Sequence, residues 1–371
     1  MNPYAVGRCR SAIAAINAAV TPGRTYRFME FCGGHTHAAL RHGLPHVLPE
    51  SIRLIHGPGC PVCVLPLGRL EQAIRLAENP DITLCTYGDL LRVPAGKGRS
   101  LLAARAGGAD VRMVLSPVDA VDLARSAPTR QVVFLAIGFE TTAPATAVAL
   151  LRAHRLGLAN FSVLCNHVLT PPAAGAVLAA GSQLDGIIGP GHVCLVTGAN
   201  AFQPLVAASG LPVVVSGFEP HDLLESILAL IRMVNEGRHA VEIQFDRAAT
   251  AVGNRKAQAA MAEVFAVRER FSWRGLGDIP HSALRLSDAF VRFDAEQRFN
   301  CPDPEIPDHP RCRCAEVVRG ACTPAECTLF GTACTPEHPQ GSCMVSPEGA
   351  CAAWYAYRLA GALDAEVEQL V

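Results

Sequence analysis

The chain has 371 residues, half of them hydrophobic and 18% charged, with a formal net charge of −1. That composition excludes a disordered chain and allows two or three domains with substantial cores. The balanced charge, without a Lys/Arg-rich block, leaves no electrostatic footprint for nucleic acid, and the longest apolar runs are far too short to cross a bilayer.

The N-terminus, "MNPYAVGRCRSAIAAINAAV", lacks a basic n-region followed by a clean apolar core and cleavage site. It reads as a helix and not as a signal peptide, so the expected location is cytoplasmic. From about residue 26 to 235, short apolar runs alternate with helix-like stretches. The runs are "TYRFMEF", "IRLIHG", "ITLCTYG", "VRMVLS", "VVFLAIGF", "FSVLCNH", "GIIG" and "PVVVSGF". Strand, loop and helix in repetition predict parallel sheets with covering helices. The near-continuous apolar strands predict sheets buried on both faces. The fold class expected is α/β: two lobes with mainly parallel sheets, plus a Cys-rich C-terminal domain. "ARSAPTR" marks a boundary, giving lobes over 1–126 and 127–236 and a helical, loop-rich domain over 237–371. The stretch "AVGNRKAQAAMAEVFAVRERFSWRGLG" reads as a helix and then a loop.

Fifteen cysteines need a reason in a cytosolic protein, where structural disulfides are rare. Seven lie in the first 300 residues and eight fall between 301 and 351. The C-terminal segment is rich in Pro, Gly and Cys and poor in material for an apolar core, so metal is its natural staple. Cys327, Cys334, Cys343 and Cys351 are separated by six, eight and seven residues. Four thiolates can hold zinc or one iron–sulfur cluster, and these spacings are wider than the paired hooks of zinc ribbons. Cys312, Cys314 and Cys322 stand as alternative ligands or an adjacent redox pair.

Two more thiols sit in "GPGCPVC". A C-x-x-C pair at the end of a strand, with a helix start nearby, suits a redox dithiol, half of a zinc site or a buried turn. "CGGHTH", residues 32–37, also follows a strand. Cys32 could act as a nucleophile or as a soft metal ligand beside His35 and His37, or the segment could be a glycine turn. In "GFETTAP", Thr141 or Thr142 can cap a helix with Pro144 in its first turn, which leaves Glu140 unexplained. "GPGHV" places His192 after another strand. Ser116 in "SPVDA" reads as a helix cap. No P-loop and no G-x-G-x-x-G after a strand is present.

Taken together and in this order, "CGGHTH", "GPGCPVC", "GFETTAP", "GPGHV" and "CTLFGTACTPEHPQGSCMVSPEGACAAWY" resemble the HypD family of hydrogenase maturation proteins over nearly the whole chain. The resemblance implies two related α/β lobes and a third domain with a [4Fe–4S] cluster. It implies a scaffold on which an Fe(II) carrying two cyanides and one carbon monoxide is assembled for [NiFe]-hydrogenases. The implied partners are a HypC-like small chaperone, a HypE-like cyanide donor and, indirectly, the hydrogenase large subunit. By motif position, Cys32 would hold the iron, His35 would handle iron or substrate, and Cys60 and Cys63 would be a redox-active pair. Cys327, Cys334, Cys343 and Cys351 fit the cluster-binding region, and Glu140 and Thr141 lie in the second-lobe motif. The implied role is an assembly scaffold with redox activity rather than a turnover enzyme. The alternative is a stand-alone iron–sulfur thiol–disulfide oxidoreductase. Cys9, Cys85, Cys165, Cys194 and Cys301 are expected to be structural.

Overall fold

The computed structural model describes residues 3–96 and 98–358. The expected C-terminal domain is thus covered as far as residue 358, and 359–371 lie outside the described residues. All eight apolar runs form strands: β1 Tyr26–Glu30, β2 Ile52–His56, β3 Ile82–Thr86, β4 Val111–Met113, β5 Gln131–Gly138, β6 Phe161–His167, β7 Gly186–Pro190 and β8 Val213–Ser216. A ninth, β9 Val241–Ile243, is too short to show in the hydropathy pattern. One sheet runs β2-β1-β7-β8-β9 and the other β4-β3-β5-β6, and every pairing in both is parallel.

The sheets cut across the expected division at 126/127. β3 and β4 pair with β5 and β6, while β1 and β2 pair with β7 and β8. Register fixes this exchange: Phe28 lies opposite Gly186, and Ile82 opposite Gln131. The chain begins one sheet, builds the other completely, and returns to finish the first. A boundary read from a linker-like composition cannot see such an excursion.

Burial follows from the apolar runs. β6 is buried along its whole length, and β5 at every residue but the first. Helices cover both faces, with Phe134 and Phe161 fully enclosed on one side of the second sheet and Leu84, Leu135 and Leu164 on the other. Local signals also hold. Ser116 caps Pro117–Ser126 in a reciprocal box with Asp119. Thr142 occupies the N-cap of Ala143–Arg155, but its hydroxyl donates back to the Ile137 and Phe139 carbonyls.

The segment after 254 differs from the reading. The helix Arg255–Val264 is present, but its loop is an antiparallel ribbon: β10 Phe265–Val267 with β13 Leu284–Leu286, and β11 Arg270–Trp273 with β12 Gly277–Pro280. The ribbon seals the second sheet. Trp273 is buried against Phe139, its indole N–H on Ser282 Oγ at 2.8 Å. Beside it, Glu296 clamps the buried Arg69 at 2.6 Å and also binds Arg268. Arg69 in turn donates to Asn166 at the end of β6. No helix among the described residues is long and apolar enough to cross a membrane.

Candidate functional site

In the first sheet, strand order reverses between β1 and β7, where open α/β sheets bind their ligands at the carboxyl ends. Cys32 follows β1 there, and His192 follows β7. Cys32 caps the helix Gly33–Arg41, its Sγ accepting from the Gly34 N–H at 3.3 Å. The His192 ring nitrogens lie 3.7 and 3.9 Å from that sulfur. Cys32 is only 2% exposed, and burial raises its thiol well above the usual range, with Glu348 adding. Burial pulls the His192 pKa down to about 4, so the imidazole beside the sulfur is neutral at neutral pH.

Two glycines allow the approach. A Cβ on Gly59 would lie 2.4 Å from the Cys32 nitrogen, and one on Gly33 would lie 2.2 Å from the Glu348 carbonyl oxygen. The first presses the "GPGC" loop against Cys32; the second presses the C-terminal segment against it. Gly33 N–H also donates to the Gly59 carbonyl at 3.2 Å. Cys60 and Cys63 are joined as a disulfide, with Cα atoms 5.3 Å apart. Both are buried, so the bond faces the interior and not a partner's surface.

His35 is carried with Cys32 but turns away from it. Its ring stacks on Phe218 at 4.7 Å and Nε2 meets the Ser216 carbonyl at 3.3 Å. Nδ1 is buried without a partner. Burial, with His192 adding, lowers its pKa to about 3. Glu140 does not join this group. Its two oxygens accept from the Thr170 N–H and hydroxyl, each at 2.8 Å, which makes it a clasp between β5 and the helix Thr170–Ala179. Its neighbour Thr141 is half-buried.

Glu30, two residues before Cys32, escaped the sequence reading. One oxygen accepts the Cys32 N–H at 3.2 Å, and the other binds the Thr36 hydroxyl and, at 2.8 Å, His56 Nδ1. Trp354 Nε1 donates to His56 Nε2 at 2.7 Å. Because an indole N–H only donates, His56 carries its proton on Nδ1 and donates it to Glu30. Tyr357 Oη and His37 Nε2 share a second hydrogen bond at 2.7 Å. The helix Ala350–Arg358, which carries Cys351 in its first turn, thus docks on the helix that Cys32 caps and on the end of β2. The signal available was a lone acid closing an apolar strand just before the cysteine.

The C-terminal thiols gather as well. Cys327, Cys334, Cys343 and Cys351 line one small hollow, and Cys312 and Cys314 complete its wall with Val317, Leu329, Phe330 and Met344. Hydrogen bonds from Cys312 and then Cys343 favour Cys314 as a thiolate. Among the described residues no three His, Cys, Asp or Glu side chains are placed to hold a single metal ion. Cys322 is buried but is not part of that wall. Cys9, Cys85, Cys165 and Cys194 are core residues, and Cys301 is half-buried. The hollow connects to the disulfide through Ser342, whose hydroxyl donates to the Cys63 carbonyl at 3.4 Å.

The family model described as "Hydrogenase formation hypA family", HypD, matches residues 8–358. The chain belongs to the HypD family. Among HypD relatives, the hydrogenase maturation factor of Azotobacter vinelandii is 57% identical over 354 residues, covering 94% of this chain and 93% of the relative. That of Cupriavidus necator is 52% identical, covering 95% of each. The HypD factor of Escherichia coli is 46% identical, covering 93% of this chain and 92% of the relative.

Proposed function

We propose that this HypD-family chain serves hydrogenase maturation as the scaffold, with a HypC-like small partner, for assembling the Fe(CN)2CO unit. The observation that carries the reading is Cys32. It is a buried thiol at the strand-order reversal of a parallel sheet, with a neutral imidazole on one side and the disulfide loop on the other. Cyanide and carbon monoxide favour low-spin Fe(II), which a soft thiolate suits. In this reading the iron unit is cargo: Cys32 supplies the sulfur donor from this chain, and the partner supplies a second. His192 faces that sulfur as a nitrogen donor or hydrogen-bond acceptor, and Glu30 fixes the main chain that presents it.

The cysteine hollow fits an iron–sulfur cluster by its donor set. Six thiols line one hollow together with Val317, Leu329, Phe330 and Met344, and a [4Fe–4S] cluster takes four thiolates. Cys327, Cys334, Cys343 and Cys351 remain the proposed four, with Cys312 and Cys314 on the same wall as alternatives. When bound, the cluster supplies one electron at a time. This chain's own part is to keep the hollow dry and to hold it against Cys63 through Ser342. A HypE-like cyanide donor would deliver to the Cys32 face. The buried disulfide speaks against a stand-alone reductase for other proteins' disulfides, because a client could not reach it.

The test is anaerobic isolation of the chain with a small partner from a hydrogenase-producing host, followed by infrared spectroscopy. Cyanide and carbon monoxide bands on the complex are expected. A complex with iron–sulfur absorbance but without those bands would refute the scaffold reading and leave only a redox protein.

A further inference from the structure

One fixed charge lies between the disulfide and the cysteine hollow, and no sequence motif singles it out. Arg274 follows β11 and is 6% exposed. Its main-chain N–H donates to the carbonyl of Val64, the residue after Cys63, at 2.8 Å. Its side chain runs toward the cysteines. Nη1 donates to Ser342 Oγ, Nη2 pairs with Asp308 at 2.8 Å, and Nε has no partner. Ser342 is fully buried and lies 3.9 Å from Cys314 Sγ. The turn that places Arg274 is specific. Gly275 has φ of +80°, and a Cβ there would lie 2.6 Å from the Ala315 carbonyl oxygen, next to Cys314.

A guanidinium keeps its charge at any pH a protein survives. Buried, it needs negative charge around it. Asp308 is one such charge and is about one-third exposed, so it is screened more than Arg274 is. The imbalance in burial leaves uncompensated positive charge at Ser342, whose hydroxyl adjoins Cys314.

We propose that Arg274 is the positioning residue that sets the reduction potential of the cysteine hollow, with Asp308 as its counterweight and Ser342 as its link to Cys63. The inference rests on the hollow being a redox site. Adding one electron to a thiolate-bound cluster breaks no bond and makes the site more negative. A nearby cation in a low-dielectric interior favours that reduced form, and a nearby anion opposes it. Removing the two charges therefore shifts the potential in opposite directions, which general loosening of the region cannot do.

The experiment uses the full chain, purified anaerobically, as wild type, Arg274→Gln, Arg274→Lys, Asp308→Asn and Ser342→Ala. Each is titrated with dithionite through mediators and followed by visible absorbance and electron paramagnetic resonance. Arg274→Gln should make reduction about tenfold less favourable, a fall of about 59 mV for one electron. Asp308→Asn should shift it upward, Arg274→Lys should keep most of the wild-type value, and Ser342→Ala should give a smaller fall. Should Arg274→Gln fail to fold, the upward shift of Asp308→Asn carries the test. A wild type without an iron–sulfur chromophore would refute the cluster reading itself. The proposal falls with it, because the argument needs a centre that becomes more negative on reduction. With the chromophore present, unchanged potentials, or shifts of the same sign in Arg274→Gln and Asp308→Asn, overturn the proposal while leaving the cluster reading standing.

Discussion

The parallel sheets and the segment from 301 to 358 are held together by opposite means. In the second sheet, β5 and β6 are buried almost throughout and covered by helices on both faces, so apolar area does the work. The C-terminal segment has few large apolar side chains in its interior, chiefly Val317, Leu329 and Met344, and those face a hollow walled by thiols. The first region specifies itself by pattern. In the proposed reading the second would depend on what its cysteines hold. The difference teaches where, on that reading, redox chemistry would sit: on a segment whose order would be tied to its cofactor, docked against a scaffold whose order comes from apolar burial.

The largest expected effect breaks the second region and spares the first. Cys334→Ser should lose the iron–sulfur absorbance and expose the 301–358 segment to proteolysis, because metal binding there is also folding energy. The sheets should keep their cooperative unfolding transition. Full retention of iron and sulfide would sink the ligand assignment. Next comes the converse, Phe134→Ala, in a fully enclosed position. It should cost about 3–5 kcal/mol in chemical denaturation while leaving the iron content per folded molecule unchanged.

The polar clamp between the sheet and its ribbon sharpens the comparison. Burial would raise the Glu296 pKa, but the hydrogen bond and charge of Arg69, with Arg268, bring it down to about 2. A carboxylate held this low stabilises the fold above its unfolded pKa near 4.5, and that stability is lost as pH falls toward 2. The contribution is about 3 kcal/mol at neutral pH. Glu296→Gln should be destabilised by a comparable amount at pH 7, with much of the difference from wild type gone near pH 2. A constant gap across that range would show that the pair does not act through charge. The smallest effect is Tyr357→Phe, which removes one hydrogen bond to His37 and should cost about 1 kcal/mol, read as faster hydrogen exchange in Ala350–Arg358.

Much of this was legible in the sequence because its signals are local. Eight apolar runs became eight strands, and Ser116 announced a helix start. The cysteine spacing located the hollow, although Cys312 and Cys314 stood only as alternatives until folding brought them to the same wall. What was not legible depends on long-range return of the chain. Nothing near residue 126 says that β5 joins β3, or that His192 comes back to Cys32 across 160 positions. Glu140 looked like a site acid because an unexplained carboxylate beside a strand end is ambiguous; its partner Thr170 lies thirty residues on. Arg274 carries no motif, and Trp354 stands inside the C-terminal motif without a role the sequence could name; their hydrogen bonds to Ser342 and His56 identify them.

The central claim is that Cys32 holds the assembling iron while the C-terminal thiols serve a separate centre. The most direct measurement is infrared spectroscopy on the anaerobic partner complex of Cys32→Ala beside Cys9→Ala, with iron–sulfur absorbance recorded on the same samples. The account predicts that Cys32→Ala loses the cyanide and carbon monoxide bands but keeps the absorbance, and that Cys9→Ala keeps both. Bands of wild-type intensity in Cys32→Ala would contradict it.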